Sequence, residues 1–192
     1  YYIDTATELV VSTHTRTVKC TPSVANPSFY LKATNAPPVD NKYMQAYPDP
    51  GWGYPTLKSP FFIDAKAEAS VFYLDSQSRL LSNGINGTVY GWSDSYNDFQ
   101  LFYFMERRVI QLSLETRLYA YCTLNPPSGL YAGNYQEMTC ETRGFWNTRV
   151  FQWCPLYVEV YAGLGLVLGA EASPETPDCL NITMLVVPAC GG

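Results

Sequence analysis

Apolar and polar residues alternate along this chain in short runs, and the three-to-four-residue spacing of an amphipathic helix is nearly absent. Runs at 29–33, 70–74, 100–104, 109–112, 117–122, 150–154, 157–161 and 182–187 are rich in aromatic and β-branched residues, which predicts strands. Turn-forming clusters separate them: Asn35-Ala36-Pro37-Pro38, Ser82-Asn83-Gly84, Asn125-Pro126-Pro127-Ser128-Gly129 and the segment from Pro174 to Pro177. The only helical candidate, 64–70, is long enough for one or two turns. Short strands punctuated by Gly and Pro predict an all-β fold, either a β-trefoil-like barrel or a two-sheet β-sandwich. An echo of strand, polar turn and strand at 29–47, 72–81 and 151–168 favours the trefoil-like barrel. One domain spanning 1–192 is expected, with the Thr-rich segment 1–25 as an edge strand tied down by Cys20.

Composition narrows the setting. With 47% hydrophobic and 15% charged residues, the chain is too apolar for disorder. A net charge of −5 with scattered Lys and Arg excludes the clustered basic surface that binds a phosphate backbone, so no nucleic acid partner is expected. Arg107-Arg108 reads as a solvated strand end. The six cysteines, Cys20, Cys122, Cys140, Cys154, Cys179 and Cys190, lack metal or redox spacing and predict three disulfides in an oxidising compartment. Of the possible pairings, Cys122 with Cys140, Cys154 with Cys179, and Cys20 with Cys190 would staple a hairpin, a later segment and the two ends. The sequons at Asn86 and Asn181 agree with secretion as a disulfide-bonded glycoprotein. The start at Tyr1, without a charged leader, reads as a signal peptide already removed. The longest apolar stretch, 156–170, is shorter than the roughly 20 residues a bilayer requires, so no membrane span is expected.

Little catalytic chemistry is visible. His14 is the single histidine and reads as an exposed strand residue, which removes triads and His-based metal sites. No cofactor, metal or catalytic residue is assigned. Carboxylates remain: Asp64, Glu68, Asp75, Asp94, Asp98, Glu106, Glu115 and Glu137 could in principle pair across a sugar, although each reads first as a solvated turn residue. Two loop-like stretches are more informative. Tyr47, Trp52 and Tyr54 stand in one, and Trp92, Tyr96, Asn97 and Asp98 in the other. Aromatic faces stack on sugar rings while Asn and Asp hydrogen-bond hydroxyls. The expectation is therefore a non-enzymatic protein that binds polysaccharide or glycan through exposed aromatic loops. A carboxylate-dependent glycan-acting enzyme is the first alternative, and an effector or small-ligand carrier is the second.

A wider pattern covers about 120 residues. It runs through Ala69-Ser70-Val71-Phe72-Tyr73-Leu74-Asp75 with Leu80, then Leu130 and Cys140, and Val150-Phe151-Gln152-Trp153-Cys154-Pro155. It closes with Cys179-Leu180-Asn181-Ile182-Thr183 and Val186-Val187-Pro188-Ala189-Cys190. In these spacings the chain resembles secreted fungal proteins of the cell wall and surface, and it is similar in outline to the phialide cell-wall proteins. The resemblance implies an extracellular fungal setting and a β-fold, and it supplies no site residues.

Overall fold

The computed structural model describes residues 27–48, 58–84, 87–94, 102–112, 117–128, 134–142, 150–154, 166–169 and 179–189. Among the described residues twelve strands follow one another: β1 (Phe29–Thr34), β2 (Tyr43–Pro48), β3 (Lys58–Ile63), β4 (Phe72–Leu74), β5 (Leu80–Gly84) and β6 (Gly87–Asp94), then β7 (Phe102–Glu106), β8 (Arg117–Asn125), β9 (Gln136–Thr142), β10 (Val150–Trp153), β11 (Leu166–Gly169) and β12 (Leu180–Pro188). All pairings are antiparallel, and β1, β4, β5, β6, β8, β9 and β12 close a seven-strand barrel. The fold is the barrel, and closure of the sheet rules out the sandwich.

The order has a threefold logic. Each of the units β1–β4, β5–β8 and β9–β12 contributes two outer strands to the barrel and a central hairpin, β2–β3, β6–β7 or β10–β11, and β6 of the second hairpin is the seventh strand of the barrel. The hairpins meet one another. Lys58 of β3 pairs with Phe104 of β7, the Phe102 ring of β7 lies 5.7 Å from Phe151 of β10, and Phe62 of β3 lies 5.6 Å from Trp153 of β10. This is the β-trefoil arrangement. Its repeats, however, are not the stretches where the sequence echoes. Residues 72–81 form the β4–β5 hairpin, which joins two units, whereas 151–153 and 166–168 pair within the central hairpin of one.

Alternation puts Phe29, Leu31 and Ala33 of β1 and Met184 and Val186 of β12 inside, with Phe72, Leu80, Phe104 and Met138 completing the core. The six-residue register from Phe29↔Pro188 to Thr34↔Thr183 joins the first strand to the last. Gly91 is dictated by packing, because a Cβ there would stand 2.9 Å from the Phe102 ring.

The disulfides Cys122–Cys140 and Cys154–Cys179 form as expected. The first joins directly opposed residues of β8 and β9 inside the core. Cys20, Cys190 and the Thr-rich segment lie outside the described residues. The run 109–112, expected as a strand, belongs instead to a short helix, α1 (Arg107–Leu112). Helical geometry lets Val109 and Ile110 pack together on Tyr103, Met105, Tyr90 and Tyr119, and this tertiary gain overrides the β-propensity of Val and Ile. Arg107-Arg108 accordingly opens a helix and does not end a strand. The helical candidate near 64–70 is a single 3₁₀ turn at Lys66–Glu68.

Candidate ligand-binding site

Two polar clusters stand out, and they differ in what their groups still have to offer. The first closes the barrel between the first and second units. Asp75 organises the β4–β5 turn by accepting hydrogen bonds from the backbone N–H groups of Gln77 and Arg79, at 2.9 Å each. Its other oxygen accepts from Arg79 Nε at 2.7 Å. The Arg79 guanidinium lies 5.0 Å from the ring centres of both Tyr90 and Tyr119. Across the seam, the Cys122 N–H donates to the Ser78 carbonyl at 2.7 Å, and Arg79 bridges to Tyr121 of β8. Burial pushes the Asp75 carboxyl upward, but hydrogen bonds from the Arg79 side chain and from the Arg79 and Gln77 backbones outweigh it and hold it below its ordinary value. Tyr119 Oη is buried with no hydrogen-bond partner, and burial raises its pKa against the opposing charges of Arg79 and Arg107. Every charge in this cluster is matched, so it reads as a structural latch.

The second cluster lies where β12 changes partners. One edge of β12 runs along β1. The other pairs with β9 at Met184–Val186 and with β10 at Leu180–Ile182. Two strands cannot share one stretch of edge, so the sheet forks at Thr183. A pocket of about 230 Å³ opens there. Its floor is apolar, with Met138, Phe151, Ile182 and Met184, and its rim carries Asn35, Glu137, Thr139, Asn181 and Thr183.

Each rim group is held by a neighbour. Asn35, in a left-handed turn at φ 74°, donates from Nδ2 to Thr183 Oγ1 at 2.9 Å. Asn125 Nδ2 donates to Thr139 Oγ1 at 3.0 Å, and Gln152 Nε2 donates to Asn181 Oδ1 at 2.9 Å. Glu137 accepts from Ser128 N–H at 3.1 Å and from Ser128 Oγ at 2.7 Å. The threonine hydroxyls are acceptors in these bonds and keep their O–H to donate, while Asn181 keeps its amide N–H groups. A second, smaller depression of about 100 Å³ on β8 and β9 is lined by Tyr121, Thr123, Asn125 and Glu141, and it meets the fork at Thr139. The result is an oriented set of donors and acceptors above an apolar floor.

Of the expected aromatic loops, only Tyr47 and Trp92 lie among the described residues. Tyr47 is the penultimate residue of β2, is half exposed, and sets its ring edge-to-face against Phe61 at 5.7 Å. Trp92 is not in a loop: it lies within β6, where its backbone pairs with Tyr103 and Tyr119, because the Tyr90-Gly91-Trp92 stretch continues the β5–β6 hairpin. Asp94 likewise ends that strand. Trp52, Tyr54, Tyr96, Asn97 and Asp98 lie outside the described residues, as do Asn86 and Glu115. Among the carboxylates, Asp75 is committed to Arg79, Glu106 pairs with Arg108 at 3.0 Å, and Glu137 is held by Ser128. Among the described residues no group of three metal-ligating side chains occurs, and no helix is long and apolar enough to cross a membrane.

Sequence reasoning missed Asn35, Thr139 and Thr183 as site residues. One signal was present: Glu137, Thr139 and Glu141 alternate with Met138, Cys140 and Thr142, which marks a strand with a polar outer face. No protein-family profile, curated protein or solved structure matches the chain.

Proposed function

We propose that this is a secreted, non-enzymatic protein of the fungal surface or cell wall that binds polysaccharide or glycan at the β12 fork. The observation carrying the proposal is the pairing of an apolar floor with oriented amide, hydroxyl and carboxylate groups. A sugar ring has the same two-sided character, with C–H groups on its face and hydroxyls around its edge. Size narrows the ligand. At about 230 Å³ the pocket is below the ~300–1,000 Å³ that enclose a drug-sized molecule, so it takes one ring of a longer chain. The depression on β8 and β9 offers room for a neighbouring ring, with Tyr121 at its side. The disulfides support an oxidising compartment, and the resemblance to fungal wall proteins supports the setting.

A glycan array and a cell-wall polysaccharide pull-down with the disulfide-intact protein test this reading. Binding that weakens in Asn35→Ala and Thr139→Val supports the fork as the site. A blank array, or binding indifferent to both substitutions, removes it.

A further inference from the structure

We propose that the sequon Asn181-Ile182-Thr183 carries an N-linked glycan whose first sugar ring occupies the fork pocket, so that the protein's own glycan gates the site. This rests on the reading of the chain as secreted and of the fork as a sugar site. Its basis is a coincidence of position: all three sequon residues line the pocket. Asn181 stands exposed at the rim, Ile182 forms part of the floor, and Thr183 holds the hydrogen bond from Asn35.

The amide orientation is compatible with attachment. Gln152 Nε2 donates to Asn181 Oδ1 at 2.9 Å, which leaves Nδ2 as the linking atom. A lipid-linked pyrophosphate oligosaccharide is the donor. The bond from Nδ2 to the sugar C1 forms as the bond from C1 to the pyrophosphate oxygen breaks. The lipid pyrophosphate leaves with the electron pair, and Nδ2 gives up one proton. Oδ1 is untouched, so the Gln152 bond survives. Because β12 is paired along both edges, transfer precedes closure of the barrel. A ring tethered at the rim has an effective concentration of millimolar order or above, so free oligosaccharide must compete with it.

The test uses protein secreted from a glycosylating host. Mass spectrometry of the glycopeptide containing Asn181 measures occupancy, and an endoglycosidase that cuts within the glycan core measures access. The expected result is an occupied Asn181 whose glycan is cut about tenfold more slowly in the native than in the denatured protein, a ratio corresponding to ~1.4 kcal/mol of protection. Thr139→Tyr, which fills the pocket mouth, is expected to restore fast cutting while the protein stays folded by circular dichroism. An unoccupied Asn181, equal native and denatured rates, or protection that persists in Thr139→Tyr overturns the inference. The glycan array on wild-type protein made without glycosylation and refolded with its disulfides separates the two ideas. Binding there with an unprotected wild-type glycan overturns the gating alone, whereas a blank array with a protected glycan sinks the recognition of external glycan and leaves the self-glycan in the pocket.

Discussion

The Asp75–Arg79 latch and the β12 fork are both seams in the barrel where strands exchange partners, yet they end in opposite states. At the latch a carboxylate, a guanidinium and two tyrosine rings meet the requirements of each other's charges. At the fork amides and hydroxyls are oriented by one hydrogen bond each and keep capacity for another. A cluster whose charges are matched contributes rigidity, even though the Tyr119 hydroxyl finds no partner among the described residues. A half-matched cluster over an apolar floor is where a polar ligand gains most, because the groups are already positioned and the floor remains to be covered.

The latch offers the largest effect. Arg79→Ala leaves Asp75 without its cation in a mostly buried seam and is expected to cost about 3 kcal/mol, read by urea denaturation. The partly solvated Glu106–Arg108 pair makes the contrast: its arginine side chain is 78% exposed, and Arg108→Ala should change stability by under ~1 kcal/mol. If the two substitutions cost the same, the latch is not what closes this seam.

At the fork, Thr139→Val removes one donor and is expected to weaken glycan binding about tenfold with little change in the unfolding midpoint. Loss of stability without loss of binding would reverse the roles assigned to the two seams. A smaller effect, of opposite sign, is expected at Tyr119. Its buried hydroxyl has no partner, so Tyr119→Phe should stabilise the protein by up to ~1 kcal/mol in the same denaturation assay.

The smallest effect is a change in the shape of a pH profile. The folded-state pKa of Asp75 lies below its ordinary 3.8, so the folded chain binds fewer protons there and stability rises with pH across that window. The contribution is complete above about pH 5 and is lost as pH falls through the folded value. Asp75→Asn should flatten this acid limb. A profile unchanged by the substitution would mean that other carboxylates set the acid limit.

Much of the barrel was legible in the sequence, for a physical reason. β1, β8, β10 and β12 carry the aromatic and β-branched runs of buried strands, and the opposed cysteines of β8 and β9 paired as spacing suggested. β6 was less legible because Gly87, Gly91 and Ser93 dilute its strand character, although Gly91 is required by Phe102. The helix α1 was hidden by Val109 and Ile110, whose preference gives way to packing. The fork was legible only in the polar face of β9, where Glu137, Thr139 and Glu141 alternate with buried residues. It joins Asn35 to Thr183 and Asn125 to Thr139, contacts set by which strand takes which stretch of edge, and no local pattern encodes that choice.

The zipper between β1 and β12 has a mechanical consequence. Phe29 and Pro188 sit opposite each other at the same end of an antiparallel pair, and the Ala189 N–H reaches the Ser28 carbonyl at 3.1 Å. Tension applied to the segments leading out of these strands therefore peels the ladder one rung at a time and does not load all rungs in shear. Anchored at one end and pulled at the other, such a barrel opens at its seam under low force, and single-molecule extension should show release of β1 and β12 ahead of the disulfide-stapled β8–β9 hairpin.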